Sequence, residues 1–229
     1  MQLSSNPMPN HPIHLPQSIL PGIFSLPGHR EGSLAYLIVE KGGQNILIDC
    51  PLWTEELQAW LQEQGGVGTL WISHRDAIGP KLGKIQDQFR CAIAIQEQEA
   101  YLIPGRSLTP FQDQYFLTPD IRALWTPGYS PGSSCLYVEQ QGGILFTGRH
   151  LLPIAPGQIG PIRQEKTFHW GRQLASVAKL CSSLAHKPLA YLCPGANRRY
   201  LGELGLIADP WPQLKALDLE GLRAVKGEE

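Results

Sequence analysis

The sequence predicts an α/β protein built as a two-sheet sandwich flanked by helices. Three observations carry that reading. Short apolar strands alternate with amphipathic helical stretches through the first half, which is the pattern of a layered α/β sheet. The middle third turns to closely spaced short strands separated by Pro/Gly turns. The last third returns to helix and strand. At 229 residues the chain is long enough for a substantial core in one domain.

Taken in order, a strand is expected over Gly22–Leu26, followed by a turn at Pro27-Gly28. Ser33–Glu40 (SLAYLIVE) and Asn45–Asp49 (NILID) read as a hairpin, with Lys41-Gly42-Gly43-Gln44 as its turn. Thr54 reads as an N-cap, with Glu55 and Glu56 in the first turn and Leu57, Trp60 and Leu61 on one face. That helix stops at Gly65-Gly66. Thr69–Ser73 reads as a strand, Lys81–Phe89 as a helix and Ala92–Ile95 as a strand. Ile121–Thr126, Cys135–Glu139 and Gly142–Gly148 follow as strands. Thr167–Ala185 carries a helical apolar period, Leu189–Cys193 is a buried strand and Leu214–Val225 a terminal helix.

Composition excludes several classes. Formal net charge is -1, so no general attraction to nucleic acid or anionic lipid is expected. No run of roughly 18 apolar residues exists, so a transmembrane helix is not predicted. The opening MQLSSNPMPNHPIHLPQ lacks the basic and apolar regions of a secretory signal. Residues 1–20 are expected to be a poorly ordered lead-in and 21–229 a single domain, with the cytoplasm as location. Five widely spaced cysteines (Cys50, Cys91, Cys135, Cys181, Cys193) form no CxxC and read as buried small hydrophobes.

Four loops follow apolar strands and hold unusual polar residues: Ser73–Pro80 (SHRDAIGP), Thr126–Gly132 (TPGYSPG), Thr147–Leu151 (TGRHL) and Cys193–Arg199 (CPGANRR). Strand-end loops that converge build ligand sites in α/β proteins. With Asp49 at the end of LIDC, the order LIDC, SHRDAIG, TPGYSPGSS, LFTGRHL, CPGAN resembles the metallo-β-lactamase superfamily, in particular its glyoxalase-II-like hydrolase branch. The resemblance implies a four-layer αββα sandwich with a metal site on the loop edge. It also implies hydrolysis of an ester, thioester or lactone by a metal-bound water.

The pattern departs from that family at the ligands. The family has T-H-x-H-x-D-H, a His after T-P-G, an Asp after T-G and a His after P-G. Two registers of the first loop remain open. Aligning Ser73-His74 with T-H keeps His74, while Asp76, Ile78 and Gly79 replace the rest. Aligning Asp76-Ala77-Ile78-Gly79 with D-H-x-G keeps His74 and Asp76, while Ile72 and Ala77 replace histidines. Tyr129, Arg149 and Ala196 stand at the other ligand positions. His74 and Asp76 are therefore the candidate catalytic or metal-ligating residues. A guanidinium stays protonated and offers a cation no lone pair. At ~4 Å and an effective dielectric near ~20 it would repel a divalent ion by roughly 8 kcal/mol.

The expectation is a metal-free, non-catalytic binding or interaction module, with no cofactor. Its partner would be a small anionic molecule or a protein. Arg149, Tyr129, Arg75, Asn197 and Arg198 are the candidate ligand-binding residues, with Arg163 and Arg199 nearby, and Arg149 is expected to bond Asp76. Asp49 would support the loops. The alternative is a hydrolase, with zinc, iron or manganese at His74 and Asp76 or without metal. A third reading is a structural subunit using exposed apolar residues such as Trp211. His150 is expected to take no part, and His169 to sit at a helix start. His11 and His14 belong to the lead-in.

Overall fold

The computed structural model describes residues 16–224. His11, His14 and most of the expected lead-in lie outside them. A seven-stranded sheet comes entirely from the first half of the chain: β1 (Gln17–Leu20), β2 (Ile23–Pro27), β3 (Leu34–Ile38), β4 (Ile46–Ile48), β5 (Thr69–Ile72), β6 (Ala92–Gln96) and β7 (Thr109–Phe111). These strands lie side by side in sequence order. β1 to β4 are antiparallel, and β4 to β7 run parallel through helices α1 (Glu55–Glu63), α2 (Leu82–Phe89) and α3 (Glu97–Ala100). The second half gives β8 (Gln114–Thr118), β9 (Ile121–Trp125), β10 (Ser134–Val138), β11 (Ile144–Gly148), the hairpin β12 (Leu152–Ala155) and β13 (Gln158–Gly160), helix α4 (Trp170–Leu184), β14 (Tyr191–Pro194), β15 (Ile207–Ala208), and helices α5 (Trp211–Lys215) and α6 (Leu219–Ala224). Its six-stranded sheet runs β15-β14-β11-β10-β9-β8, with β11 and β14 parallel.

The layers follow from strand alternation. In β3, Leu34, Tyr36 and Ile38 face the second sheet, while Ala35 and Leu37 face the helices. All five are buried, so SLAYLIVE reads as continuously apolar rather than alternating. Tyr36 meets Phe146 of β11 edge-on, ring centroids 5.1 Å apart, across the space between the sheets. Leu57 and Leu61 of α1 and Leu82 and Ile85 of α2 fill the outer core of the first sheet, each contributing about 1.5–3 kcal/mol. Val177, Leu180 and Leu184 of α4 pack on the second.

Thr54 caps α1 as expected, its Oγ1 accepting from the Leu57 amide at 3.2 Å. The helix ends where Gly65 and Gly66 take φ of +97° and +81°. Three expectations need correction. Gln17–Leu20 is a strand, held at the sheet edge by pairing with β2, so order begins before residue 21. The terminal helix is broken in two, because Asp218 Oδ1 accepts from the Gly221 amide and starts α6 afresh. Strands β7, β8, β12, β13 and β15 were not legible, being only two to five residues long. All five cysteines are unpaired thiols. No helix among the described residues is long and apolar enough to cross a membrane.

Candidate functional site

The parallel strands β4, β5, β11 and β14 all end on the same edge, where α/β sheets place their sites. β4 delivers Asp49, β5 delivers Ser73 and His74, β11 delivers Gly148 and Arg149, and β14 delivers Gly195. The strand ends approach each other closely. A Cβ on Gly148 would lie 2.6 Å from Ser73 Oγ, and one on Gly195 would lie 2.8 Å from the Gly148 carbonyl oxygen. Only glycine fits either place.

Asp49 anchors this edge. It adopts φ of +62°, in the left-handed region that Asp tolerates better than most side chains. Its Oδ1 accepts the Ser73 amide at 2.8 Å, and its Oδ2 accepts the Ser73 hydroxyl at 2.7 Å. Ser73 Oγ lies 2.6 Å from His74 Nδ1, so carboxyl, hydroxyl and imidazole form a continuous buried chain. Burial pushes the Asp49 carboxyl up to about 7, against the opposing pull of the Ser73 bonds and the Arg149 charge. Burial and then the Arg149 charge drive the His74 imidazole down to about 3, so it is neutral at ordinary pH.

Asp76 follows on a short 3-10 turn, Arg75–Ala77. Its Oδ1 accepts Arg30 Nη1 at 3.1 Å and its Oδ2 accepts the Tyr129 hydroxyl at 2.5 Å. Burial alone would raise the Asp76 carboxyl, but the Tyr129 bond and the Arg30 charge outweigh it and hold it below the usual range. The Tyr129 ring packs edge-on against His74, centroids 5.2 Å apart. The expected Arg149–Asp76 bond is not formed. Arg30, from the loop after β2, has taken that place, while half-buried Arg149 has no ion pair or hydrogen bond among the described residues. It lines one small cavity with His29, Arg30, Asp49, His74 and Asp76. The cavity measures about 10 Å³, room for one water.

The other candidate ligand-binding residues are occupied elsewhere. Arg75 Nε bonds Glu99 Oε1 at 3.0 Å, and the Glu99 side chain is wholly buried. Asn197 takes φ of +63° and donates to the Pro153 carbonyl at 3.0 Å. Arg198 donates to Gln17 Oε1 at 2.8 Å, and Arg199 stacks over Tyr200. None of these lines the cavity, so the expected arginine cluster reduces to Arg149 with Arg30. Arg30 and His29 were missed, although GHREGS is also a polar loop following an apolar strand. His169 caps α4, its Nδ1 accepting the Arg172 amide. His150 is buried with neither ring nitrogen bonded among the described residues.

The residues present do not fit a divalent ion. Among the described residues no group of three His, Cys, Asp or Glu side chains is placed to hold one. The only cavity-lining acids are a carboxylate already bonded to Arg30 and Tyr129 and one bonded to Ser73, and Arg149 brings positive charge to the same space.

No family profile matches the sequence, and no curated protein does. Solved structures do match. The chain is similar to the DIM-1 metallo-beta-lactamase at 15% identity and TM-score 0.66, over 88% of this chain and 93% of that one. A quorum-quenching N-acyl homoserine lactone lactonase aligns at 17% identity and TM-score 0.56, over 79% and 93%. ETHE1 from Myxococcus xanthus aligns at 17% identity and TM-score 0.57, over 76% and 75%. The chain has the metallo-β-lactamase fold, and the lactamase and the lactonase are hydrolases by name.

Proposed function

We propose that this chain is a metal-independent binding module on a hydrolase fold, holding a small anion against Arg149 at the mouth of the strand-end cavity. One observation carries the reading: Arg149 stands unpaired where a carboxylate ligand would serve a metal, while Arg30 pairs with Asp76 and Tyr129 donates to it. A neutral His74 leaves the local charge positive. Arg149 can therefore accept a carboxylate or phosphate oxygen without first breaking an internal bond. Metal-independent hydrolysis through a serine nucleophile would require that hydroxyl to be open to substrate. Ser73 is 1% exposed and its hydroxyl is bonded to Asp49. Five free thiols suit a reducing compartment such as the cytoplasm. A near-neutral charge suits a small-molecule or protein partner rather than nucleic acid.

Elemental analysis of protein purified without chelator tests the reading. The expected result is far less than one zinc, iron or manganese per chain, with phosphate or acetate raising the melting temperature of the wild type and not of Arg149→Gln. Stoichiometric metal would overturn it, as would hydrolysis of an ester, thioester or lactone that Arg149→Ala abolishes. Replacing Arg149→Asp, Tyr129→His and Ala196→His together is expected to raise zinc uptake.

A further inference from the structure

A second cavity, of about 280 Å³, opens between the β12–β13 hairpin, the segment leading into α4, and α6. It is lined by Ile154, Pro161, Ile162, Arg163, Trp170 and Leu222. Every lining side chain but Arg163 is apolar or aromatic, and no acid is among them. The one polar atom of Trp170, its Nε1–H, donates to the Leu222 carbonyl at 3.0 Å, so the indole brings no unmet donor into the groove. Ile154 on one flank is 44% exposed. A single exposed Ile is ordinary, but here it borders a concave apolar surface of nearly ligand size. Arg163 is exposed and has no ion pair or hydrogen bond among the described residues. An exposed guanidinium beside an apolar groove is a geometrically selective partner for a planar carboxylate, because its fixed fork of N–H donors can bond both oxygens.

We propose that this groove binds a medium-chain carboxylate, its alkyl tail against Ile154, Ile162 and Trp170 and its headgroup on Arg163. The site is separate from the strand-end cavity, shares no lining residue with it, and stands whether or not that cavity takes an anion. The volume of about 280 Å³ suits one chain rather than a protein segment, and the single cation with no acid in the lining favours an anionic over a neutral or cationic head.

The test is a titration with octanoate, below its micellar concentration, read by tryptophan fluorescence and by melting temperature. Octanoate is expected to saturate and to raise the melting temperature, whereas acetate, which lacks the tail, and octanol, which lacks the charge, bind at least fivefold more weakly. Arg163→Gln is expected to weaken octanoate at least fivefold and leave octanol unchanged. Ile154→Asp, at a half-exposed rim position that a folded variant tolerates, is expected to abolish octanoate binding with an unchanged circular dichroism spectrum. The absence of saturation, or equal octanoate affinity in Arg163→Gln, would overturn the proposal. Binding lost in Arg149→Gln but kept in Arg163→Gln would place the ligand in the strand-end cavity and likewise overturn it, leaving the anion-binding reading intact.

Discussion

At Asp49, burial and hydrogen bonding pull in opposite directions, and burial wins. Its carboxyl titrates in the fold at about 7 instead of 3.8, so the folded state binds that proton more tightly than the unfolded state does. Asp49 therefore favours folding below pH 4 and loses that contribution as pH rises toward 7. His74 and His150 run the other way. Both fall from 6.5 to about 3 on burial, so their contribution is present above pH 6.5 and lost as pH falls. Between pH 4 and 6.5 these three groups leave a net one proton taken up on unfolding, so stability gains about 1.4 kcal/mol per pH unit. Asp49→Asn, which keeps the left-handed backbone and the Ser73 amide bond, should double that slope. His150→Leu, which removes an imidazole with no hydrogen-bond partner in its ring, should flatten it. Urea melts across this range check both, and an acid profile indifferent to His150 would refute the assignment. Asp49 was legible because it ends an apolar strand. Arg30 was not, because its partnership with Asp76 spans 46 positions and no local pattern encodes it.

The loops show how a correct element can carry a wrong assignment. SHRDAIG was read as one polar loop whose arginine would meet a ligand, yet the 3-10 turn Arg75–Ala77 sends consecutive side chains opposite ways. Asp76 goes to the cavity and Arg75 to Glu99 of α3. The helix α3 was not read at all, so Glu99 had no visible need of a cation. Arg75→Ala should cost about 2–4 kcal/mol, less than a fully dry pair because Arg75 keeps water. Arg75→Lys should recover part of it, and neither change should alter anion binding at Arg149. Chemical denaturation with a ligand titration separates the two roles. TPGYSPG was read as a polar strand-end loop, and its packing shows what holds it. Gly128, at φ of +148°, lies so close to α4 that a Cβ there would sit 2.2 Å from the Gln173 Cα. The loop that carries Tyr129 is thus fixed by a helix forty residues further on, a contact invisible to any window of the sequence.

Across the whole molecule the layered α/β architecture was readable because both faces of the central strands are covered, which makes apolar runs such as NILID and TLWIS stand out. The edges were not readable: β1 and β8 have a neighbour on one side only and mix polar with apolar residues, and β15, also at an edge, is two residues long. The sheets themselves divide the chain cleanly. Every strand of one precedes residue 112 and every strand of the other follows residue 113. A cleavage at that junction would sever no strand. Two polypeptides made separately, each already holding a full set of neighbouring strands, should therefore recombine when mixed. Co-elution of the pair, with tryptophan emission matching the intact chain, is the expected sign. If so, the strand-end cavity is the meeting line of two halves that can be exchanged independently, and its chemistry can be altered by swapping one of them.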